Sequence, residues 1–361
     1  MKITGLTLKE FSCPRPKPIA NAILTYRTAG CTVCELHTDE GVDGIGLTGG
    51  VGVSEIIEQG LKKSILGEDP LNYEKIWDRM YRGWRKPVAK GEAIKAISGV
   101  DIAIWDIIGK TLGTPVRTLL GGYREKVPAY AAGGYYKEGE GLKELAQEMS
   151  GYVEMGYRAV KMKVGGLKLE KDLERVKAVR EAVGEDINLM VDVNNGWNPY
   201  EAVKAAKALE KYNAYWLEEP VSPDDVEGNL RVRAATSIPI ASGENEFTRW
   251  GCRELIERRA VDIIQADATV TGGITESRKI AAIASAYHIQ YAPHGSPEVH
   301  LHLVASTSNG LIVETYPEDP LRDILFADPL LLKDGCLEVP NRPGLGIELN
   351  EKAVEKYRVK S

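Results

Sequence analysis

The chain has 361 residues, 43% hydrophobic and 27% charged, with a net charge of −6 and a pI near 5.6. That length suits two domains rather than one, and the composition is that of a soluble globular protein with a large core. The acidic balance excludes nucleic acid and anionic membrane as partners, and no apolar run reaches the roughly 20 residues needed to span a bilayer. "MKITGLTLKEF" alternates like a strand and lacks the apolar core of a signal peptide, so a cytoplasmic location is expected. To about residue 50 the pattern is short strands without intervening helices, which implies antiparallel pairing. "CPRPKPIAN" (13–21) carries three prolines and is expected as a loop, and Asp39-Glu40-Gly41 as a turn. Cys31 and Cys34 form a C-x-x-C on a strand, where positions i and i+3 face opposite sides. Five widely spaced cysteines form no disulfide framework, and no second pair completes a zinc site. From Ser54 to about Leu120 the spacing is helical. "SEIIEQGLKKSIL" opens on Ser54 as an N-cap, and "GEAIKAISGVDIAIWDIIGKTLG" closes at Gly113. Residues 1–123 therefore read as an α+β domain.

After Gly122 the rhythm changes. Apolar runs recur at "VPAYAA", "AVKMKV", "INLMVD", "AYWLE", "IPIAS", "DIIQA", "IQYAP" and "LIVE", with amphipathic helical segments between most of them. Eight strands alternating with helices imply a parallel barrel of the TIM type over 124–320; an open doubly wound sheet is the alternative, and eight similar units favour closure. The tail 321–361, punctuated by Pro and Gly, is expected to return to the N-terminal domain.

Barrel active sites lie at the C-terminal ends of the strands. Asp192, Glu218 and Glu244 each close an apolar run at intervals of 26 residues. Three carboxylates at one end of neighbouring strands repel unless a cation sits among them, and hard oxygen ligands suit Mg²⁺. Three separate acids at helix N-termini are the bland alternative, which the common phase disfavours. Glu219 faces away from Glu218, and Glu218 keeps the phase. Lys161 and Lys163 share a strand face; two close, partly buried ammonium groups lower each other's pKa, which suits a general base. Asn194, two residues past Asp192, is placed near the metal-bound ligand. His294, in "YAPHG", adjoins Asp267 on the neighbouring strand, the arrangement of an Asp–His dyad. His300 and His302 read as one face of the following helix, and His37 and His288 as peripheral. Glu314 closes the eighth strand as a neutral acid that donates a hydrogen bond, or as an acceptor from substrate. Tyr135 and Tyr136 either reach the pocket or pack under the cap.

Together these residues resemble the enolase superfamily, mandelate racemase subgroup, over nearly the whole chain. "DIAIWDIIGKTLGTPVRTLLGG" resembles the segment joining capping domain to barrel, "VKMKVGG" the K-x-K motif, and "VDVNNGW", "WLEEP" and "SGEN" the three metal-ligand motifs. "PHG" with Asp267 resembles the His/Asp dyad, and Glu314 the strand-eight acid. The resemblance implies a modified (β/α)7β barrel and one Mg²⁺ on Asp192, Glu218 and Glu244. It implies Lys163 and His294 as bases and Lys161 near the substrate carboxylate. It also implies a homo-oligomer whose cap loops, "CPRPKPIAN" and "TGGVGVSE" (48–55), close over a small carboxylate substrate. The glycines of 48–55 lack dinucleotide or Walker spacing. Ala268 and Thr269 stand where muconate-lactonising members carry a lysine. The expected reaction is dehydration of an aldonate or aldarate through an enediolate to a 2-keto-3-deoxy acid. Racemisation or epimerisation of a 2-hydroxy acid by the same pair is the runner-up, and a non-catalytic barrel the remote alternative.

Overall fold

The computed structural model describes residues 1–83 and 90–359; positions 84–89 of the expected helical stretch lie outside the described residues. Strands β1 (Ile3–Ala20), β2 (Thr25–Thr38) and β3 (Gly44–Thr48) form an antiparallel sheet in the order β1-β2-β3. The proline segment is a correction: it continues β1 to Ala20 rather than forming a loop. It can do so because β1 is an edge strand, where a missing N–H breaks no ladder, and because the pairing with β2 slips between Pro14 and Ile19. Asn21 turns the hairpin, its Oδ1 accepting from the amides of Ile23 (2.9 Å) and Leu24 (2.7 Å). The C-x-x-C divides as expected. Cys34 is buried in the cap core, Cys31 is half-buried, and all five cysteines are free thiols.

The first helical segment begins at Val53, with Gly52 in the cap position, so Ser54 lies inside the turn instead of capping it. The helix Glu92–Thr111 is the central beam of the cap, with 16 of its residues buried. A Cβ at Gly46 would stand 1.9 Å from the Gly99 carbonyl, and one at Gly44 2.2 Å from that of Ala103, so these glycines let the helix lie directly on β3. On its other side Trp105 Nε1 donates to Thr275 Oγ1 (2.9 Å), and Ser98 Oγ accepts from the Gly272 amide (2.8 Å), docking cap on barrel.

Eight parallel strands follow: β4 (Lys126–Ala132), β5 (Ala159–Lys163), β6 (Asn188–Asp192), β7 (Ala214–Glu218), β8 (Ile240–Ser242), β9 (Ile263–Ile264), β10 (Gln290–Tyr291) and β11 (Val313–Thr315). Each pairs with the next through β10; Tyr291 bridges Gly310, just before β11, and β11 pairs with β4, which closes the barrel. Seven helical crossovers join eight strands, the (β/α)7β form. Strand interiors alternate, so Tyr130, Met190, Trp216, Ile263 and Ile312 fill the barrel floor. In the tail, β12 (Leu332–Lys333) and β13 (Cys336–Glu338) form a hairpin with β13 antiparallel to β4, while the Val359 amide donates to Glu10 of β1 (2.8 Å). No helix among the described residues is long and apolar enough to cross a membrane.

His302 ties the cap–barrel joint to the tail. Its Nδ1 accepts from the Arg117 amide (3.1 Å), and its Nε2 donates to the Leu345 carbonyl (3.0 Å). Burial holds it neutral, lowering its pKa from 6.5 to about 4. The unfolded chain therefore binds this proton first. The stability contribution is complete above about pH 6.5 and is lost as pH falls toward 4, a difference of about 3 kcal/mol. Urea denaturation at about pH 7 and about pH 4 should show this slope in the native chain and a shallower one in His302→Gln. Equal slopes would remove His302 as the cause.

Candidate active site

The polar residues begin where the interior alternation leaves the apolar floor. Lys161 and Lys163 lie on the inner face of β5, as their spacing required. Lys161 Nζ stands 2.5 Å from Glu218 Oε1, 2.7 Å from Glu314 Oε1 and 3.7 Å from Asp192 Oδ2. Lys163 Nζ contacts Asp192 Oδ2 directly and lies 5.1 Å above the Tyr135 ring. Tyr135 thus reaches the site, whereas Tyr136 turns away, its hydroxyl donating to Asp172 (2.6 Å). The expected lowering of the lysine pKa values is overturned. Burial is the largest single influence and acts in that direction, but the neighbouring groups together outweigh it, Asp192 foremost at Lys163 and Glu218 with Glu314 at Lys161, so both amines are held protonated above their usual range.

Asp192 and Glu218 are register partners at the ends of β6 and β7. Glu244 departs from that phase. Glu218 pairs with Ala241, which leaves Glu244 past the end of β8 on the following loop. Burial and the charge of Asp192 push Glu218 up. Glu244 is also raised, chiefly by burial, which His294 only partly offsets. Trp216 Nε1 donates to Glu218 Oε2 (2.8 Å). Glu219 is separate, as expected, held by Asn195 Nδ2 (3.0 Å) and Asn245 Nδ2 (2.6 Å). Asn194 has left the strand face: its φ is +45°, its amide donates to Asp192 Oδ1 (2.8 Å), and its own Oδ1 is buried without a hydrogen bond.

On the far side His294 Nδ1 lies 3.1 Å from Asp267 Oδ2. Its Nε2 faces Tyr316 OH (3.1 Å), Glu244 Oε2 (3.7 Å) and Glu314 Oε2 (3.8 Å). Burial opposes the charged ring, but Glu244, Glu314 and Asp267 raise its pKa to about 10. Asp267 is held low: the two histidines beside it, His294 and His300, together overcome its burial. Glu314 corrects the neutral-acid expectation. Although burial favours the protonated form, Lys161 and His294 keep it an ionised acceptor, and it takes the Gly295 amide at 2.8 Å. His300 and His302 share no helix face. The first turns to the Asp267 loop and the second to the tail, as residues two apart on a helix must diverge.

A cavity of about 430 Å³ opens beside the dyad, walled by Arg15, Ile19 and Tyr26 of the hairpin, by Thr48 and Gly49, and by Tyr135, His294 and Tyr316. Both cap segments singled out in the sequence therefore border the site. The hairpin is fastened there by paired amide bonds between Ala20 and Tyr136 (2.9 and 2.8 Å). Tyr316 and Trp216 were missed, yet each lies two residues from a chosen acid: Trp216 shares a face of β7 with Glu218, and Tyr316 follows the end of β11 two residues past Glu314.

A divalent cation suits the donor set, which is all carboxylate oxygen. Glu244 Oε2 is buried without a hydrogen bond, and Asp192 and Glu244 both act to raise Glu218, a repulsion that a cation relieves. The three carboxylates do not already converge: among the described residues no three His, Cys, Asp or Glu side chains stand in gripping position. Asp192 and Glu218 are turned to the lysine amines, the nearest positive charges.

Residues 4–121 match the mandelate racemase / muconate lactonizing enzyme N-terminal domain, and residues 143–353 the enolase C-terminal domain-like family. An arabinonate dehydratase of Saccharolobus solfataricus is 39% identical over 91% of this chain and 90% of its own length. A D-galactarolactone cycloisomerase of Agrobacterium fabrum is 33% identical over 99% of each. The solved structure of a mutant L-talarate/galactarate dehydratase liganded with Mg and L-glucarate superposes with a TM-score of 0.92 at 30% identity, over 99% of this chain and 92% of that one. With its cap, its barrel and these relatives all in agreement, the chain belongs to the mandelate racemase/muconate lactonizing enzyme family of the enolase superfamily.

Proposed function

We propose that this chain is a Mg²⁺-dependent acid-sugar dehydratase that converts an aldonate or aldarate to a 2-keto-3-deoxy acid. The observation that carries this reading is the placement of two proton carriers, Lys163 at the end of β5 and His294 past β10, with Asp192 and Glu218 at the ends of β6 and β7 and Glu244 just past β8 between them. Mg²⁺ held by those three carboxylates would supply the charge that stabilises an enediolate, and would engage the Asp192 oxygen that otherwise fixes the Lys163 proton. Lys163 takes the C2 proton. His294, with Nδ1 committed to Asp267, presents Nε2 and gives its proton to the departing C3 hydroxyl, which leaves as water. The resulting enol becomes the ketone. Lys161 and Glu314, paired at 2.7 Å, face the substrate carboxylate end, and the cap residues Ile19 and Tyr26 keep water out.

The same pair can return a proton to C2 on either face, and one relative is named a cycloisomerase, which favours isomerisation as the second reading. An acid-sugar panel with Mg²⁺ in D₂O separates them. Dehydration yields a 2-keto acid; deuterium at C2 without keto acid indicates a racemase or epimerase; neither product from any acid sugar would sink the proposal. Five free thiols agree with a reducing compartment, and we place the enzyme in the cytoplasm as a homo-oligomer, which sedimentation should show as a species above 39.6 kDa.

A further inference from the structure

His300 takes no part in the chemistry above, yet it is fully buried between the two loops that carry the dyad. It sits on the helix Pro297–Val304. Its Nε2 accepts from the Ala268 amide at 2.9 Å, which requires an unprotonated nitrogen there. The ring proton is therefore on Nδ1, which donates to the Gly295 carbonyl at 2.7 Å. Both ring nitrogens are spent on backbone, one on each loop. His300 Nε2 also lies 3.3 Å from Asp267 Oδ1, with no proton between them to share. That oxygen is taken instead by Thr269, through its amide (2.7 Å) and hydroxyl (2.8 Å), leaving Oδ2 for His294.

On the second loop the backbone is unusual. Gly295 has φ +71° and Ser296 has φ +26°, a region that a serine occupies only when its surroundings hold it there. The Gly295 amide in turn donates to Glu314 Oε2 (2.8 Å). One imidazole thus braces the peptide after Asp267 and the peptide after Gly295, and through Gly295 reaches Glu314.

We infer that His300 is a positioning residue that splints the Asp267 and His294 loops together and so fixes which nitrogen of His294 faces the substrate. This rests on the proton-transfer role proposed above for His294. The competing possibility is a polar core residue that merely satisfies two loop ends. That role would lower stability and every catalytic step alike.

The test uses Mg²⁺-loaded enzyme and three variants. His300→Asn keeps a donor for Gly295, His300→Gln keeps an acceptor for Ala268, and His300→Leu keeps neither. In folded His300→Leu, kcat for water loss should fall about 10- to 100-fold, with KM and Mg²⁺ affinity within about twofold of wild type. Exchange of the C2 proton through Lys163 should persist, and the Asn and Gln variants should recover part of kcat. Nitrogen-15 spectra of labelled histidine, with His294 assigned through His294→Asn, should show one set of His294 Nδ1–H and Nε2–H signals in wild type, from a ring held in one orientation, and a second set in His300→Leu. Should the Leu variant not fold, the Asn and Gln variants carry the same readouts. A folded variant with wild-type kcat and a single, unchanged His294 ring orientation would overturn the inference, as would water loss and proton exchange falling in parallel with melting temperature. The spectra need no substrate, so they decide the role of His300 even if no acid sugar is turned over and the dehydratase reading fails.

Discussion

Lys163→Ala and His294→Asn are each expected to lower kcat by about 10²- to 10⁴-fold, the usual worth of a general acid or base, while leaving Mg²⁺ affinity within a few-fold of wild type. The reason is positional. Each side chain presents its proton-carrying nitrogen toward the cluster from a different sector of the barrel, Lys163 beside Asp192 and His294 beside Glu244 at 3.7 Å, so neither can cover for the other. The two variants should differ in stability. Lys163 is almost fully buried against Asp192, and its loss strands a buried carboxylate, an effect of about 3–5 kcal/mol in comparable buried pairs. His294 is partly exposed, and its asparagine variant should melt near the wild type. Steady-state kinetics on the best acid sugar, with Mg²⁺ calorimetry alongside, check both parts. Full turnover in either variant would refute the assigned roles.

Glu244→Gln should act in the opposite order, on the metal first. Glu244 is a carboxylate with a buried oxygen that no hydrogen bond satisfies. The amide keeps the shape and removes the charge. Mg²⁺ affinity is expected to fall on the order of 100-fold, beyond what loss of an orienting partner alone gives, with much of the activity returning at saturating Mg²⁺. EDTA should silence the wild type reversibly. If calorimetry gave the same Mg²⁺ affinity for variant and wild type, Glu244 would not be a ligand.

The barrel strands were legible because each is a short apolar run set between helices, and "AYWLE" coincides with β7 residue for residue. Inner-face alternation likewise placed Lys161 with Lys163. Three of the readings that failed did so because local pattern yields to tertiary context. The prolines of 13–21 signal a loop only if the strand has a neighbour on both sides, and β1 has one. A constant interval of 26 residues assumes equal strands and loops, and β8 ends early, so Glu244 overshoots the level of Glu218. The protonation states of the lysines and Glu314 depend on cross-strand neighbours that no single strand reveals. Lysine beside lysine reads as repulsion in the sequence, whereas in the barrel carboxylates surround the pair.

The cap hairpin is fastened to the barrel by a main-chain pair at Ala20 and Tyr136, to which side chains add Arg15 on Asp319 (3.3 Å) and Lys17 on Glu140 (2.8 Å). The main-chain part of the latch is indifferent to which side chains the hairpin carries. Ile19, which faces the cavity, and Ile23 and Leu24, exposed at the tip, can be exchanged without breaking a polar bond of the lid, whereas Arg15 is held by Asp319 and Tyr26 stands edge-on to Tyr135. Evolution and protein engineering thus have a surface on which selectivity can drift while closure and chemistry stay put.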